Sequence, residues 1–200
     1  MADAATAYAR AATSRFDEAT MLRLVDARDR AGQRGAASAT LSLFLTQNPG
    51  NVAALRLLGG WQLAAGDSDA AIETLESLRE RVGDRDVAVL AMLAQAYAGA
   101  DQADAAQGYA SAAYALAPSN PMAVDALGWA LYAGDNIGAA VPLAVKAVRL
   151  APGDAAIRWH MAQIADAAGN RPVAIANARA ALADARFPER AAAQALIAGS

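Results

Sequence analysis

The sequence predicts an all-α chain made of repeated helix pairs, and three observations support that fold class. The first is a period. Pro118 and Pro152 lie 34 residues apart, and the residues leading up to each repeat in kind and spacing. Before Pro118 stand Leu90, Leu93-Ala94, Tyr97, Ala106, Ala110 and Ala113; before Pro152 stand Val124, Leu127-Gly128, Leu131, Ala140, Ala144 and Ala147. The second is composition: about 30% of the chain is alanine, the residue held in a helix at least cost. The third is hydropathy. Although 56% of residues are hydrophobic, no uninterrupted apolar run reaches the roughly 18 residues of a membrane span.

The register extends in both directions. Repeat one (18–51) carries Met21, Leu24-Val25, Arg28, Ala37, Leu41, Phe44 and Pro49. Repeat two (52–86), one residue longer near Gly83-Asp84, carries Leu55, Leu58-Gly59, Gln62, Ala71, Leu75 and Leu78. Repeats three (87–120) and four (121–154) are the pair already described, and repeat five (155–188) carries Arg158, Met161-Ala162, Ala165, Ala174, Ala178, Ala181 and Arg186. Within each unit the apolar positions fall at helical spacing, so each reads as a helix, a short turn and an antiparallel second helix. Gly59, Ala94, Gly128 and Ala162 are small so that the backbones can approach Ala71, Ala106, Ala140 and Ala174. Proline ends a unit because it has no N–H with which to continue the helix.

Departures carry their own expectations. Arg28 and Gln62 replace a large apolar residue at the eleventh position, which predicts looser packing in repeats one and two. Pro121 and Pro172 sit where a first-turn proline is tolerated, whereas Pro142 lies deeper and predicts a local irregularity. Residues 1–17 echo the end of repeat five, Arg15-Phe16-Asp17-Glu18 against Arg186-Phe187-Pro188-Glu189. They read either as the second helix of a truncated repeat, in a chain cut from a longer array, or as an N-terminal cap. In the first case an uncovered apolar edge could drive weak self-association. Residues 189–200 read as a C-terminal cap helix with Ala195, Leu196 and Ile197 over the last repeat.

The spacing resembles the tetratricopeptide repeat (TPR) pattern, W-x2-L-G-x2-Y, then A-x3-F, then P, over about nine-tenths of the chain. The resemblance implies an α-solenoid wound into a right-handed superhelix, with the first helix of each unit lining a concave face. In such proteins the second, fifth, ninth and twelfth positions point into the groove. In repeat three these are Ala88, Ala91, Gln95 and Ala98; in repeat four, Met122, Asp125, Trp129 and Tyr132; in repeat five, Ala156, Trp159, Gln163 and Asp166. The contrast points to a partner-binding surface formed by Met122, Asp125, Trp129, Tyr132, Trp159, His160 and Gln163, centred on Trp159 and Tyr132. Large aromatics on an open surface are what binding hot spots are made of; the same rings could equally fill the space between repeats. The carboxylate clamp of chaperone-binding TPR domains needs Lys and Asn in the groove, and the fifth, sixth and ninth positions here hold neither.

Charge and motif content narrow the function. The net charge is -3, and Lys146 is the only lysine beside sixteen arginines, with no basic run of the kind that tracks a phosphate backbone. Nucleic acid is therefore not expected as a partner. There is no cysteine, no G-x-S-x-G, no P-loop and no H-E-x-x-H, and His160 is the only histidine. No enzyme activity, metal or cofactor is expected, and Asp125 and Asp166 are the carboxylates nearest His160 by position. A non-catalytic scaffold holding a protein or peptide follows. Groove aromatics stacking on a polysaccharide form the alternative.

A narrower resemblance rests on Asp125-Ala126-Leu127-Gly128-Trp129 and, one period on, Ile157-Arg158-Trp159-His160-Met161-Ala162. These look like D-x-L-G-W and I-R-Y-H-L-A segments of large bacterial TPR proteins, among them the lipoproteins of exosortase (PEP-CTERM) exopolysaccharide systems. That resemblance implies a cell-envelope scaffold, periplasmic or associated with the outer membrane; without it a cytoplasmic setting is the default.

Overall fold

The computed structural model describes residues 17–199. The truncated-repeat or cap reading of residues 1–17, with its self-association edge, therefore falls almost entirely outside the described residues. Eleven helices and no strand occur among the described residues: α1 (Glu18–Arg30), α2 (Arg34–Gln47), α3 (Val52–Ala65), α4 (Ser68–Val82), α5 (Val87–Gly99), α6 (Ala103–Leu116), α7 (Pro121–Ala133), α8 (Ile137–Leu150), α9 (Ala155–Ala167), α10 (Arg171–Ala181) and α11 (Arg190–Ala198). None of these helices is long and apolar enough to cross a membrane.

The period shows most directly at the helix ends. Asp17, Asn51, Asp86, Asn120 and Asp154 precede the five first helices, and each side chain accepts a hydrogen bond from a backbone N–H two or three residues on. Such a cap satisfies one of the helix's orphan donors and is worth about 1 kcal/mol. The turn inside each pair is equally regular. Gly32, Gly66, Asp101, Asp135 and Gly169 all have positive φ, between 57° and 74°. The amide of the next residue then donates back to the carbonyl five residues earlier, as in Asn136 to Leu131 and Asn170 to Ala165, both 2.8 Å. An L-residue in the left-handed region costs about 1 kcal/mol more than glycine, less for Asp. Gly169→Ala is thus expected to destabilise by about 1 kcal/mol, and Asp135→Gly to be neutral or stabilising. Thermal melts of the two variants check the sign.

The described residues form two compact units, divided inside α3 between Gly59 and Gly60. In the first, α1 packs on α2, burying Met21, Leu24, Val25, Leu41 and Phe44. Arg28, in place of an aromatic, donates to the carbonyl of Ala36 (3.1 Å) and to the hydroxyl of buried Thr40.

In the second unit each first helix packs on its own second helix, on the preceding second helix and on the neighbouring first helices. Close approach rests on the small residues: Ala71, Ala106, Ala140 and Ala174 are fully buried. A Cβ built on Gly128 would lie 3.3 Å from the Leu143 Cβ and 3.4 Å from the Ala144 nitrogen. Helix α8 runs unbroken through Pro142, whose ring and the Gly138 residue four positions back are both exposed, so the carbonyl left without its helical donor lies at an exposed residue. The irregularity expected at Pro142 is not a break in the helix.

Polar substitutions in the register find partners. Arg158 donates to Oδ1 of buried Asn177 (2.8 Å) and to the Pro152 carbonyl (2.9 Å). Glu76 on α4 accepts from the hydroxyls of Tyr97 on α5 (3.0 Å) and Tyr109 on α6 (2.6 Å), and from Arg79 (2.7 Å). Burial would raise the Glu76 pKa, but these donors hold it below the usual carboxylate value; burial and the Glu76 charge push Tyr109 up to about 12. At Gln62 the Oε1 atom is buried with no hydrogen-bond partner among the described residues.

Candidate binding groove

Side by side in the second unit, the C-terminal half of α3 and helices α5, α7 and α9 leave an open groove of about 830 Å³, closed at its far end by residues 184–189. Gly60, Leu63 and Ala64 line it from α3, Met92, Gln95 and Gly99 from α5, Trp129 from α7, and Ala155, Ala156 and His160 from α9. In register these are mainly the sixth, ninth and thirteenth positions.

That register corrects the site read from the sequence. The fifth position turns inward in all three repeats: Ala91 is fully buried, Asp125 is 3% exposed and Trp159 is 6% exposed. The reason is geometric. A residue at this position faces the first helix of the next repeat, so Ala91 packs with Ala123, Ala126 and Ala130 of α7, and Asp125 meets His160 of α9. In the last repeat no further helix pair is described beyond α10. Trp159 is covered instead by Phe187, edge-on at 6.1 Å, and by Ala193 of α11. Trp159 is a core residue that seats the cap, not the open centre of a binding surface.

The remaining candidates divide. Trp129 and His160 line the groove and stack on each other, ring centres 4.2 Å apart and planes at 18°. Tyr132 lies against the same indole at 5.0 Å but packs over Ala140, Met161 and Ile164, away from the lining. Trp129 also covers the cluster joining α5 to α7, so it serves groove and packing together. Met122 is 42% exposed and Gln163 half-buried, and neither lines the groove. Asp166 pairs with Arg171 at 2.7 Å and does not approach His160.

Behind the stack, His160 Nδ1 lies 2.7 Å from Asp125 Oδ2. A carboxylate only accepts, so Nδ1 carries the proton. Burial opposes a charged ring. The Asp125 carboxylate outweighs it through charge and hydrogen bond, with further help from Glu189 and Asp154, and the pKa rises above the ordinary histidine value. An Asp–His pair can activate a nucleophile. Here no hydroxyl hydrogen-bonds to His160 among the described residues, and the chain has no cysteine. Nor do three His, Asp or Glu groups converge among the described residues as a metal-ligand set.

The segment 184–189 went unread in the sequence as part of a site. Its Asp184, Arg186, Pro188 and Glu189 form the groove end while Phe187 turns inward. The echo of Arg186-Phe187-Pro188-Glu189 near the N-terminus was the only signal there, and it concerned repeat boundaries rather than binding.

No protein-family model matches the sequence, and no curated protein matches it either. Solved structures do match in fold. TTC0263, a thermophilic TPR protein of Thermus thermophilus, is 21% identical, with 90% of this chain and 99% of that one aligned at a TM-score of 0.73. A tetratricopeptide repeat protein from Parabacteroides merdae aligns over 90% of this chain and 72% of its own at 12% identity and a TM-score of 0.70. YrrB, described as a TPR protein with an unusual peptide-binding site, is 17% identical over 94% of this chain and 98% of its own, at a TM-score of 0.59. With its paired helices, its caps and turns recurring at the repeat period, and these structural neighbours, the chain has the tetratricopeptide repeat fold.

Proposed function

We propose that the protein is a non-catalytic scaffold that holds a peptide or an extended protein segment in the groove of α3, α5, α7 and α9. The observation that carries this is the groove itself: about 830 Å³, open, mostly small and apolar along its length, with a stacked Trp129–His160 pair in its lining. Gly66 and Gly153 along the lining border open space and leave room for a peptide backbone to come close. YrrB, of the same fold, is described as binding peptide, which supports the class of ligand. Sugar stacking has less support, because Trp129 gives ring surface to His160 and Tyr132, and Trp159 is buried. The setting we propose is a bacterial cell-envelope or exopolysaccharide assembly. It rests on the segments around Trp129 and His160, and glycosyltransferase or export genes beside the coding gene would support it.

Ala64 and Ala156 are exposed and line the groove, so Ala64→Arg and Ala156→Arg fill it without touching the core. Both are expected to keep the wild-type melting temperature and to lose a captured partner by at least ten-fold. Glu80→Arg and Ala115→Arg, exposed on second helices, are expected to keep it. Equal retention by all four variants would place binding elsewhere on the molecule.

A further inference from the structure

The groove is not electrically uniform. At the α3–α5 end the lining is Gly60, Leu63, Ala64 and Met92, all uncharged. At the α9 end Asp154, Asp184 and Glu189 face Arg186 as the one fixed cation in the lining. His160 does not redress the balance, since a proton on it is matched by Asp125 at 2.7 Å.

None of the three carboxylates forms an ion pair among the described residues; the Arg190 guanidinium donates to the Asp184 backbone carbonyl (2.8 Å) and not to its carboxylate. Asp154 Oδ1 accepts from the amides of Ala156 (3.0 Å) and Ile157 (3.1 Å) as the cap of α9. Asp184 Oδ1 accepts from the amide of Arg186 at 2.8 Å. The Glu189 side chain does not cap α11. Each keeps at least one oxygen for an incoming donor, and Glu189 and Asp154 already act on His160 through their charge.

Resting on the groove reading above, we propose that the occupant is an extended peptide with apolar side chains along the α3–α5 end and Lys or Arg side chains at the Asp154–Asp184–Glu189 end. Charge complementarity selects it: an acidic peptide or a phosphate backbone would meet three carboxylates. Four first helices side by side span three interaxial steps of about 9–10 Å, or roughly 28 Å, which an extended chain crosses in about nine residues.

The test is fluorescence anisotropy with labelled Ala/Leu decapeptides carrying three lysines toward one end, made in both chain directions, with Gln and Glu twins. The Lys form is expected to bind at least ten-fold more tightly than the Glu form at low salt, and the gap to shrink as salt rises. Asp184→Asn combined with Glu189→Gln should remove most of that preference, and Ala156→Arg should remove binding. Three results would overturn the proposal. Equal binding of Lys, Gln and Glu forms, abolished by Ala156→Arg, would leave the groove reading standing and remove the charge selection. A Lys preference untouched by Ala156→Arg would put the acidic contact outside the groove. Failure of every peptide to bind at about 1 mM, the weak end of specific recognition, would reject this occupant, and the groove variants described above would then decide the broader reading alone.

Discussion

Trp159→Ala is expected to lower stability by about 3–5 kcal/mol, the usual cost of removing a buried tryptophan. The indole is 6% exposed and sits among Ala162, Ala178, Ala181, Phe187 and Ala193, contacts that join α9, α10 and α11. In a repeat array stability is carried by neighbouring units. The loss should therefore be local, with hydrogen exchange losing protection over 155–198 while α5 to α7 keep theirs. Phe187→Ala, which strips the edge-on contact at 6.1 Å, should act in the same direction with a smaller effect. A Trp159→Ala protein that melts with the wild type would show that the ring is not core and return it to the candidate surface.

The second large effect is expected at Asp125. Asp125→Ala leaves His160 Nδ1 without its 2.7 Å partner in a site where the carboxylate side chain is 4% exposed. Loss of about 1–3 kcal/mol follows from a polar group left unsatisfied beneath the stack. The pH dependence has a definite sign. The folded His160 pKa is raised above its unfolded value of about 6.5, so its contribution is complete below that value and is lost as pH rises through the folded pKa. Wild type should thus lose stability on going upward through that window, and Asp125→Asn should flatten the dependence. Trp129 fluorescence should titrate over the same range, because a protonated imidazole lies 4.2 Å from the indole. A fluorescence change unaltered in His160→Gln would contradict the assignment.

The helix pairs were legible because the 34-residue period is written in residues with opposing needs. Gly128 must be small against Ala140 and Ala144, and Leu93 must fill space, so their spacing marks the register. The Asp/Asn caps at 17, 51, 86, 120 and 154 were equally readable in retrospect, since each precedes an apolar run at the same phase. What the sequence hid was the rotation of the first helices. One residue on a helix turns the face by about 100°, enough to move the fifth position into the core and the sixth into the groove. In an alanine-rich helix the usual contrast is missing: Ala88, Ala91 and Ala98 look alike, yet only the second and third of these are buried. Trp159 looked like groove for the same reason. Its cover comes from Phe187, which holds no register position at the end of repeat five, and from α11, which lies beyond the last repeat.

The central claim is that the first helices, and not the second, present the binding surface. It is tested most directly by placing a photo-cross-linking amino acid singly at Ala64, Gln95 and Ala156, which line the groove, and at Ala115 and Ala180, which are exposed on α6 and α10. The account predicts that one and the same partner segment is labelled from all three groove sites and from neither second-helix site. Labelling confined to Ala115 and Ala180 would contradict it.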